Sequence, residues 1–273
     1  MFYLNGRFVT EDKAKISVLE PGFLFGLGLF ETMRAYNSKI VYLKQHFERL
    51  RRSCRLINIR LTYFDSQLEK IIKRLVEMHG SRDVHVRLVV WTGEGKNNIL
   101  VMVRKYKPPI LKGRYRGFSA CVSAFRQTEN SFFTRLKTTS RLFYELARQA
   151  AKDKGFNEAI ILNTRGYLAE GTKSNIFFVK DKGIFTPALS CGCLEGITRK
   201  VIFDIARDSK LRVDEGNFTL RDLYEADEAF FTNSLMGVMP LTSLERRKLK
   251  AGIPGRLTKF FMRKYNALLE NGS

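Results

Sequence analysis

Apolar positions along the first hundred residues change period several times, and each change marks an element. Phe2-Tyr3-Leu4 and Arg7-Phe8-Val9 are short extended runs joined by Asn5-Gly6, a dipeptide that accepts the positive φ angles of a tight hairpin. Thr32 to Tyr36 and Ile40 to Leu43 predict strands on either side of Asn37-Ser38-Lys39. Two helices are predicted next, over Gln45 to Ile57 and Ser66 to His79; in the second, Leu68, Ile71, Ile72 and Leu75 recur at spacings of three and four along one face. Alternating runs at Val84 to Trp91 and Ile99 to Val103 predict paired strands.

Adjacent prolines block both helix and sheet ladder, so Lys107-Pro108-Pro109-Ile110-Leu111-Lys112-Gly113 reads as a linker. It divides the chain into a smaller N-terminal α/β domain, residues 1–112, and a larger domain, residues 113–273. The larger one predicts a strand (Phe118 to Ala124), a helix (Ser140 to Lys154) and three strands (Glu158 to Asn163, Ile176 to Val179, Ile184 to Thr186). A helix (Arg199 to Ser209), a strand (Glu228 to Phe231) and a terminal helix (Pro254 to Leu269) follow. The fold class is α/β in the mixed, α+β sense, built as two layered domains. No repeat of fixed period and no low-complexity tract is present, which excludes a solenoid.

A chain of 273 residues that is 44% hydrophobic can bury a sizeable core. It has no apolar run long enough to span a bilayer and no basic, apolar leader, so a cytoplasmic protein without a membrane partner is expected. Four cysteines, Cys54, Cys121, Cys191 and Cys193, are too few and too scattered for a disulfide framework. The excess of 48 Lys and Arg over 27 Asp and Glu, a net charge of +21, attracts anions without naming one. Basic clusters such as Arg49-Leu50-Arg51-Arg52 and Arg246-Arg247-Lys248 lack interleaved aromatics for base stacking, which disfavours a nucleic-acid-binding module.

Several familiar chemistries can be set aside. The residues after Gly26-Leu27-Gly28 alternate like a strand instead of opening a helix, against a dinucleotide loop. Cys191-Gly192-Cys193 has no second pair at zinc spacing, and His46, His79 and His85 lie far from it in sequence, so no metal is expected. No nucleophile elbow for a serine hydrolase is present. What remains is a lysine in a partly apolar setting, Lys137 ahead of a long helix, which desolvation could turn into a nucleophile or base. Glu170 falls in a polar turn between apolar strands, where a carboxylate could face a cationic ring nitrogen. Leu194 to Arg199 leads into the apolar helix of Val201, Ile202, Ile205 and Ala206, so its amides and the Thr198 hydroxyl form an anion cradle at a helix N-terminus. Thr232-Asn233-Ser234 emerges at the end of an apolar strand, where ligand sites of α/β folds often gather.

The ordered series Pro21-Gly22-Phe23, Phe30-Glu31-Thr32-Met33-Arg34, His46-Phe47-Glu48-Arg49-Leu50, Lys137, Glu170 to Asn175, Leu194 to Arg199 and Thr232 to Pro240 resembles the fold-type IV pyridoxal phosphate enzymes. Branched-chain aminotransferases, D-amino-acid aminotransferases and aminodeoxychorismate lyases make up that class. The resemblance spans nearly the whole chain and implies two α/β domains, pyridoxal 5'-phosphate in the interdomain cleft, and a homodimer. By the same resemblance Lys137 would hold the cofactor and shuttle the proton, and Glu170 would pair with the ring nitrogen. Arg49, Ile197, Thr198 and Ser234 would hold its phosphate.

Substrate choice rests on fewer residues. Thr32 falls where the lyases have a threonine implicated in proton delivery and branched-chain aminotransferases have glycine, and Asn233 matches a lyase asparagine near the substrate. The loop Trp91-Thr92-Gly93-Glu94-Gly95-Lys96-Asn97-Asn98 lacks both the Arg-Gly-Tyr of many lyases and the Arg-x-His of D-amino-acid aminotransferases. Lys96 would stand in for the arginine there, without its bidentate clamp. Ser140 also departs, standing where asparagine is common. The resemblance therefore implies a small anionic amine substrate and a lyase releasing 4-aminobenzoate and pyruvate, with a transaminase as the alternative.

Overall fold

The computed structural model describes residues 1–109, 117–250 and 252–271. The chain forms two compact units. The first holds Met1–Lys107, Leu136–Ser140 and the end of the terminal helix from Leu268; the second holds the remaining described residues. The boundary expected between residues 112 and 113 lies outside the described residues.

The first unit contains β1 (Phe2–Leu4), β2 (Arg7–Val9), a one-turn α1 (Pro21–Leu24), β3 (Gly28–Tyr36), β4 (Lys39–Ile40), α2 (Leu43–Leu56), α3 (Asp65–His79), β5 (Asp83–Thr92) and β6 (Asn97–Lys105). Its strands form an antiparallel sheet in the order β2-β1-β6-β5-β3-β4. Asn5 and Gly6 take φ of 46° and 94°, the left-handed turn that the dipeptide predicts. The strand expected over Ile40 to Leu43 is cut short: Tyr42 enters the left-handed region at φ 55°, and Leu43 already begins α2. Leu29, Met33 and Ala35 of β3 point to one face of the sheet with Val84, Val86 and Leu88 of β5. Phe47, Leu50 and Cys54 of α2 and Leu68, Ile72 and Leu75 of α3 seal that face into one core.

Residues 136–140 join this unit by lying along the start of β3. Phe30 N–H donates to the Lys137 carbonyl at 2.9 Å, and Thr139 N–H donates to the Gly28 carbonyl at 2.9 Å. Leu136 is buried in the core of the same unit. A short stretch with no helix or strand of its own is thus held rigidly by backbone bonds on one side and an apolar anchor on the other.

The second unit contains β7 (Phe118–Gln127), α4 (Leu142–Asp153), β8 (Glu158–Asn163), β9 (Leu168–Gly171), β10 (Asn175–Lys180), β11 (Gly183–Pro187), α5 (Ile197–Asp208), β12 (Val213–Gly216), α6 (Leu220–Tyr224), β13 (Glu228–Asn233), β14 (Gly237–Leu244), β15 (Arg247–Lys248) and α7 (Arg256–Asn271). Its mixed sheet runs β12-β11-β10-β13-β14-β7-β8-β9, with β15 paired to β14. Phe177 of β10 stacks on Phe230 of β13 at 5.1 Å, a cross-strand aromatic pair inside the apolar run that predicted the strands. One expectation is overturned. Glu170 lies not in a polar turn but inside β9, opposite Ile161 of β8, and is 5% exposed.

Candidate active site

In the first unit the alternation of β3 puts Phe30, Thr32 and Arg34 on the sheet face away from its helices. Register places Thr32 directly opposite Arg87 of β5. The Arg87 guanidinium stands 4.0 Å from the centroid of the Phe30 ring, and Lys137 Nζ stands 4.8 Å from the same centroid. One ring therefore sits beside a primary amine, a planar cation and, two residues along the strand, a hydroxyl. Arg87 was not foreseen; the signal available was a basic residue in the outward phase of an otherwise apolar strand, opposite Thr32.

On the other face of β3, Glu31 occupies a core position and is 1% exposed. Arg49 of α2 reaches it with two bonds, Nε to Oε1 at 2.8 Å and Nη2 to Oε2 at 2.6 Å, and His46 Nδ1 lies 2.6 Å from the same Oε2. Burial alone would raise the Glu31 carboxyl, but Arg49 and His46 outweigh it and bring it to about 2. Burial pushes His46 down and keeps it neutral; a neutral ring facing an ionised carboxylate must carry its hydrogen on Nδ1, so His46 is a donor here. Arg49, expected at the cofactor phosphate, is thus fixed in direction by Glu31. A guanidinium has several N–H donors, so a two-point pair leaves the geometry compatible with a further acceptor.

In the second unit Glu170, Asn175 and α5 form one connected arrangement. Leu194 N–H donates to Glu170 Oε2 at 3.0 Å, and Asn175 Nδ2 donates to the Leu194 carbonyl at 2.8 Å. A Cβ at Gly196 would collide with Asn175 Oδ1, so a larger residue here would have to displace the Asn175 amide. Immediately after it α5 begins at Ile197 with no side-chain cap from Gly196. Thr198, in the first turn and 2% exposed, has a hydroxyl with no hydrogen-bond partner among the described residues, an unmet polar atom beside the amides of a helix N-terminus. Tyr144 of α4 contacts Glu170 Oε1 at 2.9 Å from its hydroxyl.

The remaining candidates are placed less pointedly. Asn233 Oδ1 accepts from the N–H groups of Leu235 (3.0 Å) and Met236 (2.9 Å), and its Nδ2 donates to the Lys173 carbonyl at 3.2 Å, so its side chain shapes the turn after β13. Ser234 lies within that turn. Lys96 is exposed in the β5–β6 hairpin.

These residues fit a ligand with a basic ring nitrogen at one end and a phosphate at the other. A buried carboxylate and an uncapped helix N-terminus with an orphaned threonine hydroxyl are tied together by the three-residue stretch Leu194 to Gly196. Residues 28–244 match the model of the family "Amino-transferase class IV". The chain belongs to the class IV aminotransferases. Its members depend on pyridoxal phosphate, and this chain is a pyridoxal phosphate-dependent enzyme. It is 33% identical over 257 residues to an aminodeoxychorismate lyase of Bacillus subtilis, covering 90% of this chain and 87% of that protein. A D-alanine aminotransferase of Staphylococcus epidermidis is 30% identical over 280 residues, covering 99% and 98%. The branched-chain amino acid aminotransferase of T.th., solved with pyridoxamine 5'-phosphate, superposes with a TM-score of 0.93 at 27% identity, covering 100% of this chain and 94% of that one. One class IV scaffold thus carries lyase and transaminase activities among its relatives, and the fold is the mixed α/β fold of these enzymes. Among the described residues no helix is long and apolar enough to cross a membrane.

Proposed function

We propose that this class IV enzyme is a lyase that cleaves 4-amino-4-deoxychorismate to 4-aminobenzoate and pyruvate. In this reading Lys137 is the residue that holds the cofactor, Glu170 faces its ring nitrogen, and Arg49, Ile197, Thr198 and Ser234 hold its phosphate. Bound pyridoxal phosphate supplies an electron sink for the carbanion formed at the amine-bearing carbon. Lys137 Nζ removes the proton from that carbon, and Arg87 orients a substrate carboxylate with the flat fork that a lysine lacks. The bond between the ring and the enolpyruvyl oxygen then breaks as the ring becomes aromatic, and the Thr32 hydroxyl relays the proton taken up by Lys137 to the departing group, which leaves as pyruvate.

The observation that carries this reading is the place of Thr32: outward on β3, directly opposite Arg87 and two residues from the ring beside Lys137. A transaminase returns the proton to the cofactor carbon and has no leaving group to protonate, so a hydroxyl there has no task in it. The second reading, transamination of a branched-chain or D-amino acid, is favoured by Asn233, whose amide is committed to its own turn. Product analysis separates the two. Pyruvate and 4-aminobenzoate formed without a keto-acid acceptor, with kcat lowered about a hundredfold in Thr32→Gly and cofactor uptake unchanged, supports the lyase. An absolute need for an acceptor refutes it.

A further inference from the structure

The contacts that link Gly192, Gln127, Tyr144 and Glu170 call for one proton more than an ionised carboxylate provides. Gln127, at the end of β7 and buried, donates from Nε2 to the Gly192 carbonyl. Turning the amide over would set two oxygens against each other, so the Gly192 carbonyl fixes which end of Gln127 faces which way. Gln127 Oε1 then faces the Tyr144 hydroxyl at 2.9 Å, and that hydroxyl must supply the hydrogen between them. A phenol has one hydrogen. Its oxygen therefore presents a lone pair to Glu170 Oε1, also at 2.9 Å, and only a hydrogen on Glu170 completes that contact. The 3.5 Å approach of Gln127 Nε2 to Glu170 Oε1 is too long to take its place. Glu170 Oε2 meanwhile accepts from Leu194 N–H, as the carbonyl oxygen of a neutral carboxyl group can.

We propose that Glu170 carries a proton on Oε1 in the cofactor-free protein, placed there by the chain Gly192–Gln127–Tyr144, and that this is the proton its cofactor's ring nitrogen receives. The chain runs in one direction: Glu170 donates to Tyr144, Tyr144 to Gln127, Gln127 to Gly192. Every oxygen along it is satisfied. When the proton moves from oxygen to nitrogen, the carboxylate left behind is the counter-ion of the cation it has made. The Tyr144 hydroxyl then swings from Gln127 to the stronger, ionised acceptor. Several groups among the described residues face Glu170. From α4 comes Tyr144 and from the residue before that helix, 3.9 Å from the centre of the Tyr144 ring, the Arg141 guanidinium, whose Nη2 donates to the Thr172 carbonyl. From β7 comes neutral Gln127. From the loop come Leu194 N–H and the Cys193 thiol, which burial pushes up to about 12 and keeps neutral. Burial holds the Tyr144 hydroxyl above the ordinary phenol range, so it relays a hydrogen without giving one up.

The use of this proton rests on the cofactor reading above, whereas its placement does not, and one experiment separates them. Infrared difference spectra of the full chain freed of cofactor, wild type minus Glu170→Gln, are expected to show the carbonyl stretch of a protonated carboxyl group at neutral pH. In Gln127→Leu the Tyr144 hydroxyl is released to donate to Glu170, and that band is expected to give way to carboxylate stretches. Because Gln127→Leu also removes a bond to Gly192, Glu170→Gln provides an independent check: as a neutral stand-in for the protonated acid it should leave the unfolding midpoint of the cofactor-free protein unchanged. Carboxylate stretches in the wild type, or marked destabilisation by Glu170→Gln, overturn the proposal even if the protein takes up pyridoxal phosphate normally. A protonated Glu170 in a protein that shows no cofactor absorbance keeps the placement and overturns the reading it was joined to.

Discussion

Arg49 grips Glu31 at two points, 2.8 Å and 2.6 Å, between a helix and a strand that both face the core of the first unit. Breaking a buried pair of this kind leaves the other charge without compensation, at a cost of about 3 kcal/mol or more. Glu31→Gln is therefore expected to lower the unfolding free energy by about that amount and to weaken cofactor binding as Arg49 loses its direction. Denaturant unfolding with and without cofactor checks both.

The same cluster sets an acid limit. Glu31 is depressed from 4.5 to about 2, so its stabilisation is fully present above the unfolded value and is lost as pH falls from there towards the folded one. His46 is also depressed, so below its ordinary range the unfolded chain takes up a proton that the folded chain refuses. Both groups weaken the fold on acidification. Stability measured by denaturant should decline on going below about pH 6.5, more steeply below about 4.5. His46→Asn should remove the upper part of the decline and leave the lower; a flat profile contradicts the assignment.

Much of this arrangement was legible in the chain. Strand β8 is apolar except at its ends, so its predicted limits are the observed ones, and the helix after Gly196 is predicted to within two residues because Val201, Ile202, Ile205 and Ala206 repeat on one face. Where the reading went astray, local preference lost to tertiary packing. Leu168-Ala169-Glu170-Gly171 has no strand preference and is too short to show alternation, yet pairing with β8 makes it a strand. Ile40 to Leu43 looks extended by composition, but the left-handed turn at Tyr42 ends it. Glu31 left a usable trace, since it shares the inward phase of Leu29, Met33 and Ala35, and His46 and Arg49 flank Phe47 and Leu50 on α2. Gln127 and Tyr144 left none, because their meeting with Glu170 depends on three separate elements.

Arg87 provides a specificity test. Arg87→Lys keeps the charge but loses the fork and the flat contact with Phe30, and is expected to raise KM for a carboxylate substrate about tenfold with a smaller change in kcat. Steady-state kinetics decide it. An unchanged KM removes Arg87 from the substrate site.

Gly196→Ala tests the phosphate end. The added methyl runs into Asn175 Oδ1, and the loop that joins Glu170 to α5 must shift. Cofactor affinity measured by absorbance titration is expected to fall about tenfold or more while the unfolding transition of the cofactor-free protein moves by about 1 kcal/mol or less. Equal affinity in the two proteins would mean that the cradle before Ile197 does not hold the phosphate.

The central proposal is that Lys137, set beside Phe30 by its backbone bond to β3, is the residue that holds the cofactor. Borohydride reduction of the cofactor-loaded protein followed by peptide mapping tests it directly. A covalent pyridoxyl label on the peptide containing Lys137, absent in Lys137→Ala together with the visible absorbance band, is the predicted result. A label on another lysine, or a band that survives in Lys137→Ala, contradicts the account.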